Sequence, residues 1–348
     1  LKNNEGAACG SPFSFDARGG KLREKGTVMA DIRWGILGAA RFARQHMGPA
    51  IHAAHGSTLA ALATSSPEKA ASFQAFAPEL RVHDSYDALL ADPDIDAVYI
   101  PLPNTLHAPW AEKAMRAGKS ALVEKPIAMS VADIDRLIAV SAETGCLCAE
   151  AFMPAHHPQW AQVRALLAEG AVGKLEMIRG IFTFTLEDAA NIRAQAGMGG
   201  GGLRDVGIYP IGAARLAMGA EPSGITAHIR MENGVDTLAE LRGMFGDVVF
   251  TCISGLSQMR HQEMVFHGAH GMIRLQAPFN PGVFAEGRID LLRPDHSVQT
   301  WRYPDVRQYV LQVEAFCASV RSRQSYPVPL SFSRGSQMVI DAAFAAAS

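Results

Sequence analysis

The chain has 348 residues, enough for two domains at roughly one per 150 residues. Hydrophobic residues make up 48% and charged residues 19%, a mix that excludes a disordered or collagen-like chain and allows a sizeable core. A net charge of −2 and a pI near 6.7 give no cationic field for nucleic acid or an anionic membrane. Five cysteines are too few for a disulfide scaffold, and no run of about 18 apolar residues offers a membrane span. A reducing, cytoplasmic setting is the expectation.

Residues 1–28 combine Gly6, Gly10, Gly19, Gly20 and Gly26 with mixed charges and no periodic apolar face. No apolar core of signal-peptide length occurs there. They read as a tail or upstream extension, the alternative being an arm that ties subunits together. From Ile32 the pattern becomes rhythmic. The apolar run Ile32–Ala39 leads to a helix over Phe42–His55, and Thr58–Ala63 leads to a second helix starting near Pro67. A short strand Arg81–Asp84 and a helix ending near Ala91 follow. Then come Ala97–Leu102, a helix over Ala108–Ala117 stopped by Gly118, Ala121–Glu124, a helix over Val131–Thr144, and a strand Cys146–Phe152. Short apolar strands alternating with helices of this length predict βαβ units around a doubly wound parallel sheet.

Beyond Pro154 the rhythm changes. A helix over Gln159–Glu169, a strand over Leu175–Thr185, a glycine-rich break at Gly197–Gly202 and a helix over Ile208–Ala217 precede a series of strands. These are Ile225–Met231, Thr237–Phe245, Val248–Ser254, Glu263–His267, Gly271–Leu275 and Arg288–Leu292. Tight turns such as Asn233-Gly234 predict a mostly antiparallel open sheet. A helix over Val306–Val320 and a weak C-terminal helix complete an α+β domain. The division expected is 1–28 tail, 29–153 dinucleotide-binding domain and 154–348 substrate-binding and oligomerisation domain.

The segment Gly38-Ala39-Ala40-Arg41-Phe42-Ala43 approximates the dinucleotide fingerprint G-x-G-x-x-G/A, with Ala40 in the second place. The first glycine makes the tight turn, and the following helix N-terminus presents N–H groups to the pyrophosphate. At the end of the second strand stand Thr64-Ser65-Ser66, with neither a carboxylate for the ribose of NAD nor an arginine for a 2′-phosphate. Serine hydroxyls with Lys69 close by favour NADP slightly over NAD.

Glu124-Lys125-Pro126 ends a parallel strand on the sheet edge where ligands bind. With the fingerprint, this E-K-P triplet resembles the hallmark of the Gfo/Idh/MocA oxidoreductases, and the resemblance runs from about Ile32 to the C-terminus. Pro101-Leu102-Pro103-Asn104-Thr105-Leu106-His107 resembles the family's loop lining the cofactor cleft, and Glu150-Ala151-Phe152-Met153 its domain junction. Asn191-Ile192-Arg193 and Gly200 to Tyr209 resemble its second-domain signature. Tyr209 stands where inositol dehydrogenases carry His. That points to the branch containing glucose–fructose oxidoreductase, dimeric dihydrodiol dehydrogenase and aldose dehydrogenases.

The resemblance implies an N-terminal Rossmann domain and assigns Lys125, Tyr209 and Asp205 to catalysis. Gly38, Ala40, Arg41, Phe42, Ser65, Ser66, Leu102, Pro103, Asn104, His107, Glu124 and Lys125 are the candidate cofactor contacts, and His156, Arg193, Asp205 and Tyr209 the candidate substrate contacts. The chemistry is coherent: hydride removal from a carbinol carbon needs a base, and an ammonium beside Tyr209 favours its phenolate. Lys125 would polarise Tyr209 or bind the same hydroxyl, while Asp205 would fix the geometry, hold a second hydroxyl or cap the helix near Gly207. Where the branch often carries an aromatic residue and an Arg, this chain has Pro154 and Ala155, which places substrate preference in question. His261, His267 and His270 lack an acidic cluster, so no metal site is expected.

The function expected is NAD(P)-dependent hydride transfer to or from a sugar, polyol or other vicinal hydroxyl compound; the alternative is a non-catalytic NAD(P) sensor. An apolar outer sheet face around Phe245 and Val248–Phe250 predicts a homodimer or homotetramer.

Overall fold

The computed structural model describes residues 30–347, so the expectation for the tail at 1–28 lies outside the described residues. Six parallel strands, β1 (Ile32–Leu37), β2 (Ser57–Ala63), β3 (Arg81–His83), β4 (Ala97–Ile100), β5 (Ser120–Val123) and β6 (Cys148–Glu150), form a sheet in the order β3-β2-β1-β4-β5-β6. That order reverses between β1 and β4, the switch point at which doubly wound sheets bind ligands. Both faces of the central strands are covered, so β4 and β5 are buried at every position and read as continuous apolar runs.

The connecting helices are α1 (Gly48–Ala53), α2 (Pro67–Gln74), α3 (Tyr86–Ala91), α4 (Asn104–Arg116) and α5 (Val131–Thr144). The helix predicted over Phe42–His55 is helical from 41 to 53, but Ala43–Met47 is wound as a π-turn. Ser66, Ser85 and Ser130 cap α2, α3 and α5 through their side chains, and Gly145 in the left-handed conformation closes α5.

The second half contains α6 (Pro158–Ala168), β7 (Leu175–Thr185), α7 (Ile208–Met218), β8 (Ser223–Glu232), β9 (Val235–Phe245), β10 (Val248–Gly255), β11 (Ser257–Gly268), β12 (Gly271–Leu275), β13 (Gly287–Leu292) and β14 (Val298–Tyr303). The sheet order is β14-β13-β12-β11-β7-β10-β9-β8, antiparallel except where β7 meets β10. Asn233 and Gly234 both have positive φ (52° and 81°), the two-residue turn that matches strand twist in the β8–β9 hairpin. Sequence patterning missed β14. It is an edge strand, exposed or half-exposed along its length, so it carries no apolar alternation.

Phe245 and Phe250 correct the expected outer face: both are buried in the core. The outward row on β10 is Val249, Thr251 and Ile253, paired with Met177, Arg179 and Ile181 of β7. Arg179 and Arg274 flank Glu263 on that face at 3.2 and 2.7 Å, so it is mixed in character.

Two last helices, α8 (Gln308–Ser322) and α9 (Leu330–Ala345), return to the first half. Phe316 of α8 packs on Trp34 of β1 with ring centroids 5.0 Å apart, and α9 lies against α5 and β6. The C-terminal helix is thus a full element rather than a weak one, and one core runs continuously from Trp34 through Phe152 to Phe250 and Phe266.

Candidate active site

Gly38 directly follows β1 with φ of 98°, and a Cβ there would stand 3.1 Å from both Leu102 and the Tyr86 hydroxyl. This glycine therefore shapes the turn. Beyond it opens a cleft of about 580 Å³ at the carboxyl ends of β1, β2 and β4. Its lining includes Gly38, Ala40, Ser65, Ser66, Leu102 and Pro103 from the sequence-derived set, with Lys69 beside the serines, and adds Tyr86 and Trp110. Small residues at the turn, a helix start behind it and hydroxyls at the far end fit a dinucleotide.

The remaining candidate cofactor residues lie outside this lining. Arg41 is exposed at the helix start, and Phe42 packs edge-on against Tyr309 at 5.8 Å. Asn104 reaches across to the second half, donating from Nδ2 to the Gly199 carbonyl at 2.9 Å. His107 is fully buried, each ring nitrogen 2.7 Å from a carbonyl, of Leu102 and of Pro126. Burial lowers its pKa to about 4 against the opposing pull of the two carbonyls, and the ring lies between the loop after β4 and the E-K-P loop. Glu150 grips the same loop by accepting the Ile127 N–H at 2.9 Å. These two anchors fix the chain immediately after Lys125.

Lys125 Nζ donates to the Asp205 carboxylate at 2.8 Å and to its carbonyl at 2.5 Å. Arg193 Nε donates to the other carboxylate oxygen at 2.6 Å. Burial opposes ionisation of Asp205, but Arg193 and Lys125 together hold its carboxyl far below the usual range. Asp205 lies inside a π-turn, Leu203–Gly207, and so anchors two cations instead of capping a helix. The glycine-rich break exists for close approach: Gly201 has φ of 115°, and a Cβ there would fall 2.1 Å from Asp236 Oδ1. Asp236 Oδ2 accepts the Leu203 N–H at 2.5 Å and steadies the turn that carries Asp205.

Tyr209, in the first turn of α7, is buried in an aromatic wall of Phe152, Phe182 and Phe279, with centroids 6.1, 5.4 and 5.7 Å away. Burial, reinforced by Tyr309, Glu124 and Asp205, raises its phenol well above 10. Lys125 Nζ stands 5.0 Å from the Tyr209 ring centroid while its charge is paired with Asp205. Burial thus pushes the Tyr209 phenol upward, against the lowering that the sequence reading expected from an adjacent ammonium.

Glu124 accepts from the Tyr99 hydroxyl at 2.6 Å. Sequence reasoning overlooked Tyr99, and the Tyr–Glu contact spans two adjacent parallel strands, a proximity visible only once the sheet order is known. His156 is hydrogen-bonded to the Tyr326 hydroxyl at 2.8 Å, a packing contact with the segment joining α8 to α9. Among the described residues no group of three or more His, Cys, Asp or Glu could hold a metal ion, and no helix is long and apolar enough to cross a membrane.

Residues 32–152 match the oxidoreductase family with an NAD-binding Rossmann fold, Gfo/Idh/MocA, and residues 160–274 match the GFO/IDH/MocA C-terminal domain. An uncharacterized oxidoreductase of Rhizobium meliloti, ORF334, is 37% identical over 89% of this chain and 95% of its own length. The dTDP-3,4-didehydro-2,6-dideoxy-alpha-D-glucose 3-reductase of Actinomadura kijaniata is 34% identical over 84% of this chain and 88% of its own. The crystal structure of the 3-ketoreductase KijD10 from Actinomadura kijaniata, in complex with NADP and TDP-benzene, superposes with a TM-score of 0.85 at 32% identity, covering 91% of this chain and 98% of that one.

Proposed function

The chain belongs to the Gfo/Idh/MocA oxidoreductase family, and on that premise we propose that it is an NADPH-preferring reductase of a ketone group on a sugar or related vicinal hydroxyl compound. The observation that carries the reading is geometric: Lys125 Nζ, fixed by Asp205 at 2.8 Å, stands 5.0 Å from the Tyr209 ring, so an ammonium and a phenol meet at one place. The reductive direction follows the relative from Actinomadura kijaniata. A buried phenol that keeps its proton is a donor, and a carbonyl oxygen gaining electron density needs one. A bound reduced nicotinamide supplies the hydride. Tyr209 gives its proton to the carbonyl oxygen as the C=O electron pair moves onto that oxygen, and the phenolate regains a proton from solvent. Lys125, held by Asp205, adds positive charge beside the same oxygen and lowers the cost of charge developing there. Arg193 keeps Asp205 ionised, so that Lys125 stays where it is. The relative from Actinomadura kijaniata, a 3-reductase of a deoxysugar nucleotide, makes a keto-sugar the first substrate class to try.

In this reading residues 29–153 hold the cofactor and the open sheet of 154–348 selects the substrate. Its outer face, with Met177, Ile181, Val249 and Ile253 among charged neighbours, serves a homodimer or homotetramer. The test is a panel of keto-sugars, aldoses and aromatic diols with NADPH, NADH and their oxidised forms, alongside sedimentation analysis. Reduction of a ketone with NADPH is the expected result. Turnover confined to the oxidative direction, or absent from the whole panel, would overturn it.

A further inference from the structure

Tyr86, in the first turn of α3, lines the cofactor cleft, although nothing in the dinucleotide fingerprint calls for it. Its hydroxyl lies against the turn after β1. A Cβ on Gly38 would stand 3.1 Å from that oxygen, so it is glycine that lets the phenol come so close. Two contacts hold the ring there. Trp110 of α4 meets it edge-on, with centroids 5.0 Å apart and planes at 90°. Lys113, one turn further along α4, lies 4.1 Å from the Trp110 ring and pairs with Asp87 at 3.5 Å, which ties α4 to the start of α3.

Among the described residues the Tyr86 hydroxyl has no hydrogen-bond partner, and the cleft is the space beside it. Partial burial raises the phenol above its ordinary value, so it keeps its proton and is a donor. The turn itself is short of donors. The Gly38 N–H is committed to the Ala63 carbonyl at 3.0 Å, and the Ala40 N–H to the Gly38 carbonyl at 3.0 Å. Ala40 stands where the fingerprint places its second glycine, whose backbone comes close to the pyrophosphate. A dinucleotide on this turn therefore meets one main-chain donor fewer and finds a phenol next to it.

We propose that the Tyr86 O–H is a cofactor-binding group that donates to the pyrophosphate of the dinucleotide, in the place that the backbone of Ala40 leaves unfilled. A hydrogen bond to an ionised phosphate oxygen is stronger than one between neutral groups, and this one reads a feature that NAD and NADP share. Tyr86 thereby serves affinity for either cofactor. The choice between them stays with Ser65, Ser66 and Lys69 at the far end of the cleft.

This inference rests on the cofactor part of the reading above, and its test separates the two. Tyr86→Phe keeps the ring against Trp110 and removes only the donor. By calorimetry the variant should bind NADP, NAD and ADP-ribose alike about tenfold more weakly, the loss of one hydrogen bond to a charged group. Binding of 2′-AMP, which carries the 2′-phosphate but no pyrophosphate, should stay unchanged. Undiminished affinity for ADP-ribose, or an equal loss for 2′-AMP, would overturn the assignment. Phosphorus NMR of bound NADP reads the same contact without turnover: the variant should shift the pyrophosphate resonances and leave that of the 2′-phosphate in place. Pyrophosphate resonances identical to those of the wild type would sink the role of Tyr86. Failure of the wild-type protein to bind any of these nucleotides would overturn the cleft as a dinucleotide site, and Tyr86 with it.

Discussion

Lys125 and Asp205, 80 residues apart in the chain, meet in a nearly buried ion pair of 2.8 Å that joins the E-K-P loop of the parallel sheet to the turn before α7. Arg193 completes it from a third segment. A carboxylate bearing two cations holds the ammonium still, and a fixed ammonium can stabilise charge that develops only during the reaction.

Replacing Tyr209 with Phe removes the proton donor but keeps the ring in its aromatic wall. Turnover should fall by about two to four orders of magnitude, the usual worth of a positioned acid. Fluorescence titration with NADPH should show unchanged binding. Near wild-type turnover would discard Tyr209 as the donor.

Lys125→Met and Asp205→Asn should differ in stability as well as sharing a loss of activity. Lys125→Met leaves Asp205 paired with Arg193, whereas Asp205→Asn leaves two cations facing each other across a neutral amide. Removing one member of a buried pair costs about 3–5 kcal/mol. Since Arg193 is 39% exposed, the Asn variant should lose less than that, yet more than the Met variant. Urea unfolding of both decides the order.

Lys69 lines the far end of the cleft beside Ser65 and Ser66, where a 2′-phosphate would sit. Lys69→Ala should raise the KM for NADPH by about tenfold, roughly 1.4 kcal/mol, and leave that for NADH alone. A parallel loss with both cofactors would remove the basis for NADPH preference.

Burial lowers His156 to about 4, below the ~6.5 of an unfolded chain. Below pH 6.5 the unfolded chain takes up a proton that the folded protein refuses, so this histidine contributes stability that is present above 6.5 and lost as pH falls toward 4. His156→Gln removes that linkage. Relative to the variant, wild-type stability should drop by at most about 1.4 kcal/mol per pH unit across this window. Parallel pH profiles from urea titrations at pH 7, 6 and 5 would refute it.

Much of the fold was legible because its signals are local. The β1 turn needs a glycine at Gly38, α5 needs a cap at Ser130 and a stop at Gly145, and Asn233-Gly234 encodes a hairpin within two residues. The edge strand β14 left no such trace, since exposed strands need no apolar alternation. In the site, Lys125, Asp205, Tyr209 and Arg193 were legible from motifs, but Tyr99 was not, because its contact with Glu124 depends on which strands lie side by side. His107 and His156 show the converse: each sits in or beside a recognisable motif, and each packs internally.

The sequence by itself determined a neutral two-part α/β chain with a dinucleotide turn and a family signature, because turn chemistry, capping and apolar period act over a few residues. The tertiary structure alone decided how the charges are shared. Whether Lys125 meets a phenol or a carboxylate depends on the distance between segments 80 residues apart, and desolvation of Tyr209 depends on rings from Phe152, Phe182 and Phe279. Electrostatics falls with distance through space, not along the chain, so the protonation states on which the chemistry rests emerge only when the two sheets are assembled.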